Sequence, residues 1–171
     1  MLLSVNTVSA DLYLELAAEA GGQELIDSNT VDSITAGGGI KFAIGFQNPV
    51  NEEATTAIRL SVGYLSDSIF ADNGQADFNT VTLDAMVIKK SGAHSFGLGA
   101  TMHMLPEYSD YVMGYRPEII EYDDALGFVF QYSYQFVPGL ELGMRYTDIT
   151  YEISGFRQDA GSLGLFLSSG F

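Results

Sequence analysis

The chain contains no cysteine among its 171 residues. That excludes a disulfide framework and any metal site built on thiolates. Basic residues are scarce: seven Lys and Arg stand against 22 Asp and Glu, for a net charge of −15. A chain of that sign repels a phosphate backbone, so nucleic acid is excluded as a partner. No apolar run approaches the ~18 residues that a membrane-spanning helix requires. Spanning strands are not excluded, because their alternating faces cancel in a hydropathy window.

What is present points to strands. Hydrophobic residues make up 47% of the chain, too many for a disordered acidic polymer. Nineteen glycines, 11 Phe and 10 Tyr suit strands and turns. The length fits one domain, and no repeat or linker suggests a second. The opening MLLSVNTVSA ends Val8-Ser9-Ala10, with small residues where signal peptidase reads them. The expected organisation is therefore residues 1–10 as the remnant of an export leader and residues 11–171 as the folded domain.

Period-two alternation appears in eight segments: 11–19, 35–46, 56–64, 79–88, 95–104, 125–136, 140–147 and the tail 161–171. Most run nine to twelve residues, longer than the usual ~5–6. A tilted strand crossing a bilayer needs ~9–11. The connections alternate. Residues 47–53, 89–94 and 137–139 are short and carry Asn-Pro, Ser-Gly and Pro-Gly turn chemistry, whereas 20–34, 65–78, 105–124 and 148–161 are long. Short and long in turn is the signature of an antiparallel meander, with both termini on the short-turn side.

One face of these segments is apolar: Leu12, Leu14 and Leu16; Ile40, Phe42, Ile44 and Phe46; Leu60; Leu98; Phe128 and Phe130. The other is small, polar and glycine-rich, and includes Tyr13, Gly39, Gly45, Gly63, Gly97, Gly99 and Gly143. Glycine weakens a solvent-facing strand but makes room inside a narrow barrel for a few long side chains. This second face is therefore read as the lining. Its charges balance: Glu15, Asp84 and Glu141 against Lys41, Arg59 and Arg145, as buried ions must. These six are expected to form an interior salt-bridge network, with His103 and Gln131 as interior polar groups. The four long loops carry fifteen acids against Arg116 and Arg157, so nearly all the net charge lies on one rim. Tyr64, Phe78, Tyr132, Tyr134, Phe136, Tyr146 and Phe171 fall toward strand ends, the depth that rings favour at a bilayer boundary.

The tail LGLFLSSGF and the stretch YQFVPGLELGMRYTDITYEI resemble the small eight-stranded outer-membrane barrels of Gram-negative bacteria, of the OmpX/Ail-like and OmpW-like kinds. The resemblance spans residues 11–171. It implies an all-β, closed, antiparallel up-and-down eight-stranded transmembrane barrel. It also implies that Leu163, Leu165, Leu167 and Phe171 form the signal read by the barrel-assembly machinery; Ser169 departs from the usual apolar residue.

Catalytic readings are weak. His103 has Glu107 and Ser109 nearby in sequence, the types a hydrolase would use. An interior histidine satisfied by neighbours explains it better, and the same holds for His94-Ser95. Glu121, Asp123 and Asp124 offer carboxylates to a hard cation, without calcium-loop spacing. Divalent cations bridging these loops to lipopolysaccharide are one expectation. Tyr108, Tyr111, Tyr115 and Tyr122 could be a contact surface. Gly37-Gly38-Gly39 lacks the Lys-Ser/Thr of a phosphate loop. The expected protein is a monomeric, cofactor-free, non-enzymatic outer-membrane barrel with a filled polar interior and acidic extracellular loops. Its role is structural or interactive. The alternative is a narrow channel for small or hydrophobic solutes.

Overall fold

The computed structural model describes residues 10–25, 34–71, 74–112, 114 and 116–170. Residues 1–9, where the leader remnant was expected, and Phe171 lie outside them. All regular structure among the described residues is strand: β1 Asp11–Gly21, β2 Gly39–Pro49, β3 Thr56–Ala71, β4 Gly74–Ser91, β5 His94–Val112, β6 Glu118–Glu121, β7 Ala125–Val137, β8 Leu140–Asp148, β9 Thr150–Ile153, β10 Phe156–Asp159 and β11 Ser162–Gly170.

Eight of these close a ring in the order β4-β3-β2-β1-β11-β8-β7-β5, with β5 pairing back onto β4, and every pairing is antiparallel. The last strand closes on the first, with Tyr13 opposite Gly170 and Gly21 opposite Ser162. Closure leaves none of the eight as an open edge. The fold is thus the up-and-down barrel that the alternation implied.

The apolar face points outward. Leu60 is 56% exposed and Phe128 70%, while Arg59 and Arg145 are almost fully buried. Short turns explain one end. Val137 pairs with Leu140 around Pro138-Gly139, with Gly139 at φ 79°, as a type II turn requires of its third residue.

The long connections differ from expectation. Residues 65–78 continue as β3 and β4, which stay paired up to Ala71 and Gly74. Within 105–124, β5 runs on to Val112 and β6 pairs with it. Residues 148–161 hold the β9–β10 hairpin, whose turn residues Ser154 and Gly155 both have positive φ, the type I′ pattern matching strand twist. Once the barrel fixes adjacent strands in register, extending the ladder costs only local order, so pairing continues beyond the apolar belt.

The extensions build a second core. Ile34, Ala36, Ala76, Phe78, Tyr108, Tyr122, Ala125, Ile149, Tyr151 and Ala160 form one buried cluster at the long-loop end. Phe78, expected on the outer rim, is buried within it; its even number places it with inward-facing Thr80, Thr82 and Asp84. Tyr108 and Tyr122, expected as contact surface, are buried there too. Tyr111 is exposed, and Tyr115 lies outside the described residues.

Candidate functional site in the barrel lumen

The lumen is stacked in levels from the short-turn end to the long-loop end. At mid-height Lys41 Nζ lies 2.7 Å from Asp84 Oδ2. Arg145 Nη1 lies 3.3 Å from the same oxygen and 3.0 Å from Glu15 Oε1, while its Nη2 donates to Glu15 Oε2 at 3.2 Å. Thr101 donates to the other oxygen of Asp84 at 2.6 Å, and Gln131 Oε1 accepts from Arg145 at 3.4 Å. Lys41, Asp84, Arg145 and Glu15 are therefore one ionic chain drawn from β2, β4, β8 and β1. Glycines admit it: a Cβ at Gly63 would sit 3.0 Å from Lys41 Cε, and one at Gly97 would sit 2.6 Å from Gln131 Cγ.

Arg59 and Glu141 do not join that chain. Arg59 donates through Nε and Nη2 to the neutral Gln47 Oε1 at 3.1 and 2.8 Å and stacks 3.8 Å over the Tyr13 ring. The Tyr13 hydroxyl donates to Glu15. Glu141 is half-buried at the short-turn end, accepting from Ser133 at 2.5 Å and Ser95 at 3.5 Å.

Sequence reasoning missed several lumen residues. Glu19 is 8% exposed and accepts from Ser162 at 2.7 Å, so the lining holds a fourth carboxylate. Its parity with Glu15 and Ala17 was the available signal. Phe166 lies inward between outward Leu165 and Leu167, and Met86, Ile88 and Val129 form a small apolar cluster inside. The lining is mixed, and its apolar members fill space between ionic groups.

His103 joins the lumen to the cap. Its Nδ1 is 2.6 Å from the Tyr151 hydroxyl. Tyr151 stacks on Phe78 with ring centroids 5.7 Å apart, and Tyr122 lies equally close. Among the described residues no Ser–His–carboxylate grouping forms around His103. Leu105, at φ 51°, makes a bulge where Val81 pairs with Met104 but Asn79 with Glu107. The bulge reverses parity, so Glu107 and Ser109 face the side opposite buried Tyr108. Asp124, considered for a cation, accepts from the Leu105 N–H at 2.9 Å and so caps this bulge. His94 sits outside, 2.8 Å from the Tyr132 hydroxyl and beside Tyr134. Gly37 and Gly38 lie in a tight turn before β2, in which Gly38 N–H donates to Thr35.

Leu163, Leu165 and Leu167 all point outward on β11, and Ser169 is half-buried. Among the described residues no three acidic or histidine side chains converge as a metal site.

Neither a family model nor a curated protein sequence matches the chain. Solved structures do. Ail, the attachment invasion locus protein of Yersinia pestis, in complex with the heparin analogue sucrose octasulfate, superposes with a TM-score of 0.60 at 12% identity, covering 95% of this chain and 97% of that one. Neisserial surface protein A gives 0.56 at 16% identity, with coverage of 95% and 97%. A major outer membrane protein from Thermus thermophilus gives 0.58 at 14% identity, with coverage of 95% and 100%. The chain has the fold of the small eight-stranded outer-membrane barrels.

Proposed function

We propose that the protein is a non-conducting barrel of a bacterial outer membrane, with a structural or cell-surface interaction role and no catalysis. Its short turns and termini face the periplasm, and its long loops face outward. The observation that carries this reading is the obstructed lumen: the ionic chain Lys41–Asp84–Arg145–Glu15 fills mid-height and the Phe78–Tyr151 cluster covers the long-loop end. The outward belt of Leu, Ile and Phe supports a lipid surround, and the outward Leu163, Leu165 and Leu167 support reading by the assembly machinery.

Charge argues about the partner. Ail was solved with a sulfated, anionic ligand. The long loops here are strongly acidic, so they repel a polyanion and favour a cationic partner, or lipopolysaccharide reached through divalent cations. The barrel works as a monomer. Membrane fractionation, heat-modifiable migration on a detergent gel and planar-bilayer recording test the reading. Outer-membrane location, a migration shift and no current steps are expected. Regular current steps would instead support a narrow solute channel.

A further inference from the structure

A cavity of about 200 Å³ lies at the short-turn end, lined in part by Tyr13, Gln47, Arg59, Lys90, Gln135 and Glu141. Liquid water occupies ~30 Å³ per molecule, so the space suits several waters or one small polyatomic ion. Arg59 lines it while only 2% exposed. The guanidinium forms no ion pair among the described residues. Its partners are the neutral Gln47 and the Tyr13 ring face. Nη1 has no hydrogen-bond partner among the described residues. A buried cation without a counter-ion is costly, and so is an unpaired buried donor.

The rest of the molecule shows how unusual this is. Lys41 and Arg145, the other two lumen cations, both meet carboxylates directly. Gln47 takes the Nε–Nη2 edge of Arg59, which leaves Nη1 as a buried donor without a partner among the described residues, on a residue that lines the cavity. Two acids line the same space, Asp11 and Glu141, together with one further base, Lys90. Glu141 is already held by Ser133 and Ser95. Asp11 and Lys90 stand half-exposed at the mouth, where water screens them.

We propose that this vestibule is a binding site for a small oxyanion, a carboxylate or phosphate group, received by Arg59. Gln47 and the Tyr13 ring hold the guanidinium in place, and the ligand supplies the missing negative charge. Bidentate oxyanion recognition is what a preorganised arginine fork does best. The site is independent of whether the barrel conducts, since it is a recess at one end.

The test uses the folded full chain in detergent, with inorganic phosphate or acetate titrated against chloride at matched ionic strength. The thermal midpoint of the heat-modifiable transition is read for the wild type, Arg59→Gln and Glu141→Gln. Ligand at about ten times its dissociation constant raises the wild-type midpoint by roughly 3–6 °C. Arg59→Gln loses the shift, and Glu141→Gln, with less repulsion, reaches it at lower concentration. A response to phosphate alone assigns a phosphorylated ligand, and a response to acetate alone a carboxylate-ended one. No wild-type shift, or an equal shift in Arg59→Gln, overturns the proposal. If Arg59→Gln does not fold, Glu141→Gln decides: an unchanged apparent affinity overturns it, and a rise of threefold or more supports it.

Discussion

Asp84 and Lys41 meet at 2.7 Å across the lumen, from strands two positions apart in the ring, with both side chains almost fully buried. Arg145 reaches the same Asp84 oxygen at 3.3 Å. One carboxylate of β4 thus joins two cations, one from β2 and one from β8. Loss of Asp84 therefore leaves Lys41 without an ion-pair partner among the described residues and Arg145 with Glu15 alone.

Asp84→Asn should therefore destabilise the barrel by about 3–5 kcal/mol, the usual cost of breaking a buried pair. Lys41→Met should cost less when combined with Asp84→Asn than alone, because the two share one interaction. Urea unfolding of the four members of this cycle in lipid vesicles measures the coupling. Strict additivity would show that the pair contributes nothing.

Tyr151→Ala should open the cap and leave the barrel closed. The ring packs on Phe78 and Tyr122, and its hydroxyl holds His103. The local loss should be about 3 kcal/mol, as for other large aromatic truncations. Hydrogen exchange should then quicken at Ile69, Phe78 and Tyr108 and stay slow at Ala43 and Gly143.

Gly45→Ala should be far more damaging than Gly170→Ala. A Cβ at Gly45 would strike the Leu60 carbonyl oxygen and come within 2.6 Å of Ser61 Cα, both backbone and unable to yield. A Cβ at Gly170 meets nothing within 4 Å. About 1–3 kcal/mol is expected for the first and near zero for the second, read from unfolding midpoints.

Alkaline pH should loosen the cap before the barrel. Burial pushes the Tyr108 hydroxyl up from 10.0 to about 12, and the charges of Asp110 and Glu118 add to this. The folded cap keeps that proton where the unfolded segment releases it. Its contribution is complete below the ordinary tyrosine value of 10.0 and fades as pH rises toward about 12. Burial raises the Tyr122 hydroxyl as well, so tyrosinate absorbance should show more than one delayed step, of which Tyr108→Phe removes one.

Much of the fold was legible because strand parity is a local property. Alternation separated Leu60 from Arg59 and Phe128 from Gly127 without any knowledge of neighbours. It also marked Glu19, Phe78 and Phe166 as inward, though rim and loop readings of the same segments hid them. Parity fails at Leu105, where one residue of positive φ reverses the faces and turns Glu107 and Ser109 away from His103. The cap stayed hidden because its ten buried residues come from six separate stretches of chain, none amphipathic enough alone.

Which side chains line the barrel and which meet its surroundings is written along the chain, since a period of two needs only the backbone's own geometry. Who touches whom inside was settled by the closed ring. Closure of β11 on β1 brings Arg145 to Glu15 and Asp84, whereas Arg59 meets Gln47 through the register of the neighbouring strands β2 and β3. A balance of charges can be counted residue by residue. Contacts between those charges depend on distances around the ring that no single strand contains.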